Sequence, residues 1–125
     1  MKYPEHIIKI KNLEIGYTLK RNQKNILFND INLSANPGEL IALVGKNGIG
    51  KSTLLRNIAG LQEPFSGEVL FNNQQIKEYS RHEFARLVSY VSTEIVHVNN
   101  LKVFDLVALG RFPHTNWMGK LQTED

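Results

Sequence analysis

The sequence predicts an α/β domain, on three observations: two opening runs that alternate apolar and polar residues, a wholly apolar run at Leu40–Val44, and a glycine-rich loop leading from it into a helical pattern. The opening runs, "IIKIKNLEIGY" and "NILFNDINLSA", carry the two-residue period of half-buried strands and are expected to form an antiparallel-type pair. "NPGE", Asn36 to Glu39, is a turn by its Pro-Gly step. It delivers the chain into "LIALV", apolar at every position, which fits a strand buried on both faces of a parallel sheet, although so short a run does not by itself exclude helix.

The remaining elements follow in order. "KSTLLRNIAG" reads as a helix with Leu54, Leu55 and Ile58 on one face and Gly60 as its C-terminal cap. "SGEVLFNN" reads as a strand. "SRHEFARL" opens with Ser80 and places Glu83 three residues on, the spacing of a capping box, so a short helix is expected there. "LVSYVS" reads as a further strand, and "LKVFDLVALGRF" as a helix with an apolar stripe at Leu101, Phe104, Val107 and Ala108. There is no internal repeat, low-complexity segment or obvious interdomain linker.

Composition narrows the function classes. At 125 residues there is room for one core, and 42% apolar with 22% charged residues is ordinary for a globular domain. No run approaches the roughly 18 apolar residues of a membrane span, and the charges in "MKYPEHIIKIK" interrupt any signal-peptide core, which reads as a cytosolic chain. With no cysteine, disulfides, Cys-based zinc sites and thiol catalysis are excluded. The net charge of +3 is plus four in residues 1–24 against minus one in the rest, and the six Lys and Arg of that first stretch are scattered over a strand and loop rather than clustered with aromatics. Nucleic acid is therefore not expected as a partner. His6, His82, His97 and His114 show no metal-ligand spacing.

The stretch "GKNGIGKSTLL" carries the chemistry. In G-x-x-x-x-G-K-S/T the glycines Gly45, Gly48 and Gly50 allow a loop to wrap an anion with its N–H groups pointing inward, with Lys46, Asn47 and Ile49 completing the wrap. The helix from Lys51 adds its unpaired N-terminal N–H groups and the positive end of its dipole. Lys51 is expected to bridge the β- and γ-phosphates of a nucleotide, Ser52 to ligate Mg²⁺ through its hydroxyl, and Thr53 to reach the α-phosphate. A Gly-rich turn capping a helix would share the glycines but not the whole order of strand, loop, Lys-Ser and helix.

The longer string "GELIALVGKNGIGKSTLLRNIAGLQEPFSGEVLFNNQQI" resembles the ATPase subunits of ABC transporters, which carry G-E-x-x-x-x-x-G-x-N-G-x-G-K-S-T-L-L, then A-G-L, then x-P-x-S-G. The resemblance runs from about Ile7 to the end of the chain. It implies an α/β P-loop NTPase core with an antiparallel β-subdomain over residues 1–100 and the start of a helical subdomain over 101–125. It further implies ATP and Mg²⁺ as cofactors, Tyr17 of "LEIGY" as the aromatic that stacks on adenine, and a second ATPase subunit as partner. "VFDLVALGRFPH", with Gly110, Arg111, Pro113 and His114, looks like the ATPases of iron-siderophore, haem and cobalamin importers, whose helical region meets a membrane permease at the cytoplasmic face.

The chain also departs from that pattern. Where the family carries Pro-Gln before the helical region, "SYVSTE" has Ser92 and Thr93, then Glu94, so Thr93 and Glu94 are the candidates for the Gln role. No run of four apolar residues followed by Asp-Glu occurs to orient an attacking water, and there is no L-S-G-G-Q. The expectation is the first half of such an ATPase, cut as the helical subdomain opens, inactive alone and marginal or insoluble because Leu40–Val44 lacks a neighbouring strand. Three readings stay open: the ATPase subunit of a metal-chelate importer, a soluble ABC-type ATPase, and a non-catalytic nucleotide-binding module.

Overall fold

The computed structural model describes residues 7–93, 100 and 102–112. It divides into two compact units, Met1–Tyr79 and Ser80–Asp125, each described here by itself. The first unit holds strands β1 (Ile8–Thr18) and β2 (Lys24–Ala35), helix α1 (Lys51–Ile58), and strands β3 (Ser66–Phe71) and β4 (Gln74–Gln75). All four strands form one antiparallel sheet in the order β2-β1-β3-β4.

The opening hairpin forms as its alternation requires, with one irregularity that the letters encode. Apolar residues fall at 8, 10, 13 and 15, so the two-residue period slips between Ile10 and Leu13. Asn12 takes a left-handed backbone (φ 46°) at that point, a bulge that turns Leu13 and Ile15 back to the inner face. Ile10, Leu13 and Ile15 are then buried with Val69 of β3 and Leu54 of α1, and Phe28, Ile31, Leu33 and Ile58 pack around them. The core is this sandwich of one sheet face against one helix.

The "NPGE" turn forms with Gly38 at φ 81°, and the Asn36 backbone N–H donates to the Glu39 carboxylate at 2.7 Å. The predicted strand Leu40–Val44 does not form. The segment is irregular and solvent-exposed, with Leu40 fully exposed and Val44 89% exposed. A strand buried on both faces needs ladders on its two sides, and no described residue pairs with this run.

Helix α1 ends as expected. Gly60 adopts φ 67°, its N–H reaches the Asn57 carbonyl, and the Leu61 N–H reaches the Arg56 carbonyl at 2.9 Å, the paired bonds of a Schellman cap. The strand predicted over "SGEVLFNN" is β3, closed by Asn72 and Asn73 in left-handed conformations.

In the second unit α2 (Arg81–Leu87) begins at Ser80 with both bonds of the predicted capping box, Glu83 N–H to Ser80 Oγ and Ser80 N–H to Glu83 Oε2. The strand predicted over "LVSYVS" is absent. Leu87 ends α2 and Val88–Thr93 is irregular, again without a pairing strand among the described residues. Helix α3 (Val103–Leu109) forms within the predicted span and buries none of its residues. No helix among the described residues is long and apolar enough to cross a membrane.

Candidate functional site

An open cleft of about 510 Å³ lies between the end of the β1–β2 hairpin and the start of α1. Tyr17, Asn47, Gly48, Gly50, Lys51, Ser52 and Thr53 of the predicted site line it. Residues 45–50 form an irregular loop whose last residue, Gly50, serves as N-cap of α1 with φ 117°. No side chain caps this helix, so its first N–H groups are left to the cleft. Only glycine fits at position 50. A Cβ there would lie 2.9 Å from Cε2 of Phe28 and 3.2 Å from Cδ1 of Leu27, on a backbone that side-chain-bearing residues rarely adopt.

Lys51 curls over the loop that precedes it. Its Nζ donates to the carbonyls of Gly45 and Lys46, each at 2.7 Å. The ammonium thus sits inside the wrap, held by two neutral acceptors that a phosphate oxygen would outcompete, because an anionic oxygen adds the attraction of opposite charges that a carbonyl lacks. Gly45 and Lys46 act through these carbonyls rather than by lining the cleft. Gly45 and Ile49 line a neighbouring apolar groove of about 320 Å³ with Phe28, Leu33 and Leu54.

Thr53 is 2% exposed, and its Oγ1 is hydrogen-bonded to the Tyr17 hydroxyl at 2.5 Å. Tyr17 itself is 41% exposed and keeps its ring in the cleft. One turn further along α1, Asn57 is wholly buried, and its Nδ2 donates to the Thr53 carbonyl at 2.8 Å. Its Oδ1 has no partner among the described residues. Beyond the cap of α1, Gln62 Nε2 donates to the Gly16 carbonyl at 2.8 Å. Gly16 is there because a Cβ would fall 2.0 Å from the Asn25 carbonyl, so only glycine lets β2 approach this closely.

The donor set suits a polyphosphate. It offers backbone N–H groups, an ammonium and the Ser52 hydroxyl, with no carboxylate among the described residues that line the cleft to repel an anion. It does not suit a free metal ion. Among the described residues no three His, Cys, Asp or Glu come together, so a cation at Ser52 needs phosphate oxygens to complete its shell. Thr93 is exposed and belongs to the second unit, while Glu94 lies outside the described residues. Sequence reasoning missed Asn25 and Leu27, which β2 brings to the cleft. The signal was the hairpin register, which pairs Tyr17 with Asn25, but "TLKRNQK" has no turn motif to fix it.

Known proteins resemble the chain over most of its length. The petrobactin import ATP-binding protein FpuD of Bacillus anthracis is 31% identical over 118 residues, covering 94% of this chain and 41% of that protein. The sulfate/thiosulfate import ATP-binding protein CysA of Nitrosomonas europaea is 48% identical over 82 residues, covering 66% of this chain and 22% of that protein. The chain thus spans less than half the length of these curated relatives. A solved dimeric bacterial ABC transporter cassette superposes with a TM-score of 0.76 at 25% identity, over 94% of this chain and 51% of that one. The fold is that of the N-terminal part of such a cassette. The family model described as ABC transporter matches residues 28–124, and the chain belongs to that ATP-binding family.

Proposed function

We propose that the chain holds MgATP for an ABC importer, as the phosphate- and base-binding part of its ATP-binding subunit. The observation that carries this reading is one cleft in which an uncapped helix N-terminus, the Lys51 ammonium and the Tyr17 ring converge. Bound there, the nucleotide would supply the energy of phosphoryl transfer to water. Lys51 would exchange the Gly45 and Lys46 carbonyls for β- and γ-phosphate oxygens, and the loop N–H groups from Gly45 to Gly50 would take the others. Ser52 would hold the Mg²⁺ that the phosphates carry, Thr53 would donate to the α-phosphate, and Tyr17 would stack on the base. The water-orienting Glu and the L-S-G-G-Q segment are not in this sequence, so these residues bind and do not by themselves hydrolyse. The Gln role falls to Thr93 or Glu94.

The partners in this reading are a second ATP-binding subunit, as in the dimeric cassette, and a membrane permease met through the region after Thr93, with the protein at the cytoplasmic face of the membrane. The petrobactin relative and "GRFPH" together favour a metal chelate as cargo over the sulfate of the second relative. Titration with MgATP tests the nucleotide step. Lys51→Ala should weaken binding about ten- to a hundredfold, the loss of a charge-assisted contact of about 1.5–3 kcal/mol. Unchanged affinity would remove Lys51 from the site and the reading with it.

A further inference from the structure

We infer that Asn25 is a specificity-determining residue that reads the edge of the base and favours a 6-aminopurine over a 6-oxopurine. The inference rests on the nucleotide reading above and goes beyond it, since nothing in the loop motif distinguishes one purine from another.

Asn25 stands directly opposite Tyr17 in the β1–β2 ladder, and the next pair, Thr18 with Lys24, keeps the same register. Residues paired across an antiparallel ladder project from the same sheet face with Cβ atoms about 4.5–5.5 Å apart. Leu27, two residues along β2, shares that face, and both Asn25 and Leu27 line the cleft with Tyr17. A base lying on the Tyr17 ring therefore meets an apolar side chain at one neighbour and a primary amide at the other. The ring is not free to swing away, because its hydroxyl is bonded to the buried Thr53. Nor can β2 drift, because the Asn25 carbonyl is seated against Gly16 where any side chain would strike it.

The amide is available. Asn25 is exposed, and among the described residues its side chain has no hydrogen-bond partner. A carboxamide presents one acceptor beside two donors in a fixed plane. Adenine offers a matching pair along its N6–N7 edge, a donor beside an acceptor, whereas a 6-oxopurine offers two acceptors there and can satisfy only half of the amide. Asn47, the other amide in the cleft, sits in the phosphate loop next to Gly48 and is placed for the phosphates instead.

The test compares ATP with inosine triphosphate, which carries an oxo group in place of the 6-amino group and a proton on N1, by calorimetric titration with Mg²⁺ in the wild-type chain and in Asn25→Ala, Asn25→Gln and Lys51→Ala. The wild type should bind ATP about three- to tenfold more tightly, the range for one partly solvated hydrogen-bonded pair. Asn25→Ala should bring that ratio to about one by weakening ATP and sparing inosine triphosphate, while Asn25→Gln should retain part of the preference. Lys51→Ala should weaken both nucleotides equally and leave the ratio intact. A wild type without preference, or an Asn25→Ala ratio equal to the wild type's, overturns the inference while the nucleotide reading stands. A wild type that binds neither nucleotide overturns both.

Discussion

Replacing Gly50 with alanine should destabilise this chain substantially. Two effects combine at this position. The backbone sits at φ 117°, outside the left-handed basin tolerated by Asn or Asp, and holding alanine there costs about 1–3 kcal/mol. The new Cβ would also press on the Phe28 ring at 2.9 Å and on Leu27 at 3.2 Å. Phe28 packs against the core, and overpacking of this kind costs about 1–3 kcal/mol. Together Gly50→Ala should lower stability by about 2–6 kcal/mol, a fall of about 8 °C or more in melting temperature for a unit of this size. The assay is thermal unfolding followed by intrinsic fluorescence and far-UV circular dichroism, run as a double-mutant cycle with Phe28→Leu. The smaller residue should recover the steric share alone, leaving a coupling energy of about 1–2 kcal/mol and the backbone share unrelieved. A Gly50→Ala protein within about 0.5 kcal/mol of wild type refutes the reasoning outright. Full rescue by Phe28→Leu refutes the backbone half.

Three further outcomes follow from features of the two units. The hydrogen bonds Glu83 receives from Ser80, hydroxyl side first and backbone N–H next, hold its carboxyl below the ordinary value of 4.5, so its contribution to α2 is present above that value and is lost as pH falls through the lowered one. Carbonyl-region NMR should find the Glu83 midpoint below 4.5 in the wild type and returned upward in Ser80→Ala; equal midpoints would remove the capping box. Asn57→Asp would set a carboxylate in a wholly buried site against the Thr53 carbonyl, which should cost about 3 kcal/mol or more at neutral pH and be relieved at low pH; a melting temperature that ignores both the change and the pH would contradict the burial. Leu40→Lys alters a fully exposed side chain, so it should leave the melting temperature unchanged and reduce light scattering from self-association; a loss beyond about 1 kcal/mol would show that something covers the segment.

What could be read from the letters divides along a physical line. Elements whose partners are near in sequence were legible: the β1–β2 hairpin from its alternation, α1 from its loop and Gly60, α2 from Ser80 and Glu83, and the turn at Pro37-Gly38. Each is fixed by local bonds or by one hairpin. Leu40–Val44 and Val88–Ser92 have strand-like letters, but a strand is a relation between segments, and hydrophobicity cannot supply the neighbour. The site shows the same division. The loop motif named Lys51, Ser52 and Thr53 because their roles are tied to the start of one helix. Asn25 depends on a cross-strand register and the bond between Tyr17 and Thr53 on a fold-level meeting of β1 with α1, so neither has a spacing to read.

Two bonds described separately share one anchor. Thr53, near the start of α1, is tied to Tyr17, and Gln62, just past its cap, is tied to Gly16, the adjacent residue of β1. The helix and the strand therefore form a triangulated frame whose two struts converge on a single dipeptide. In such a frame a load on one joint is carried by both struts. A displacement of the Tyr17 ring would be opposed at the far end of α1 as well as at its start, and the phosphate loop, mounted on the near end, would move only with the whole frame.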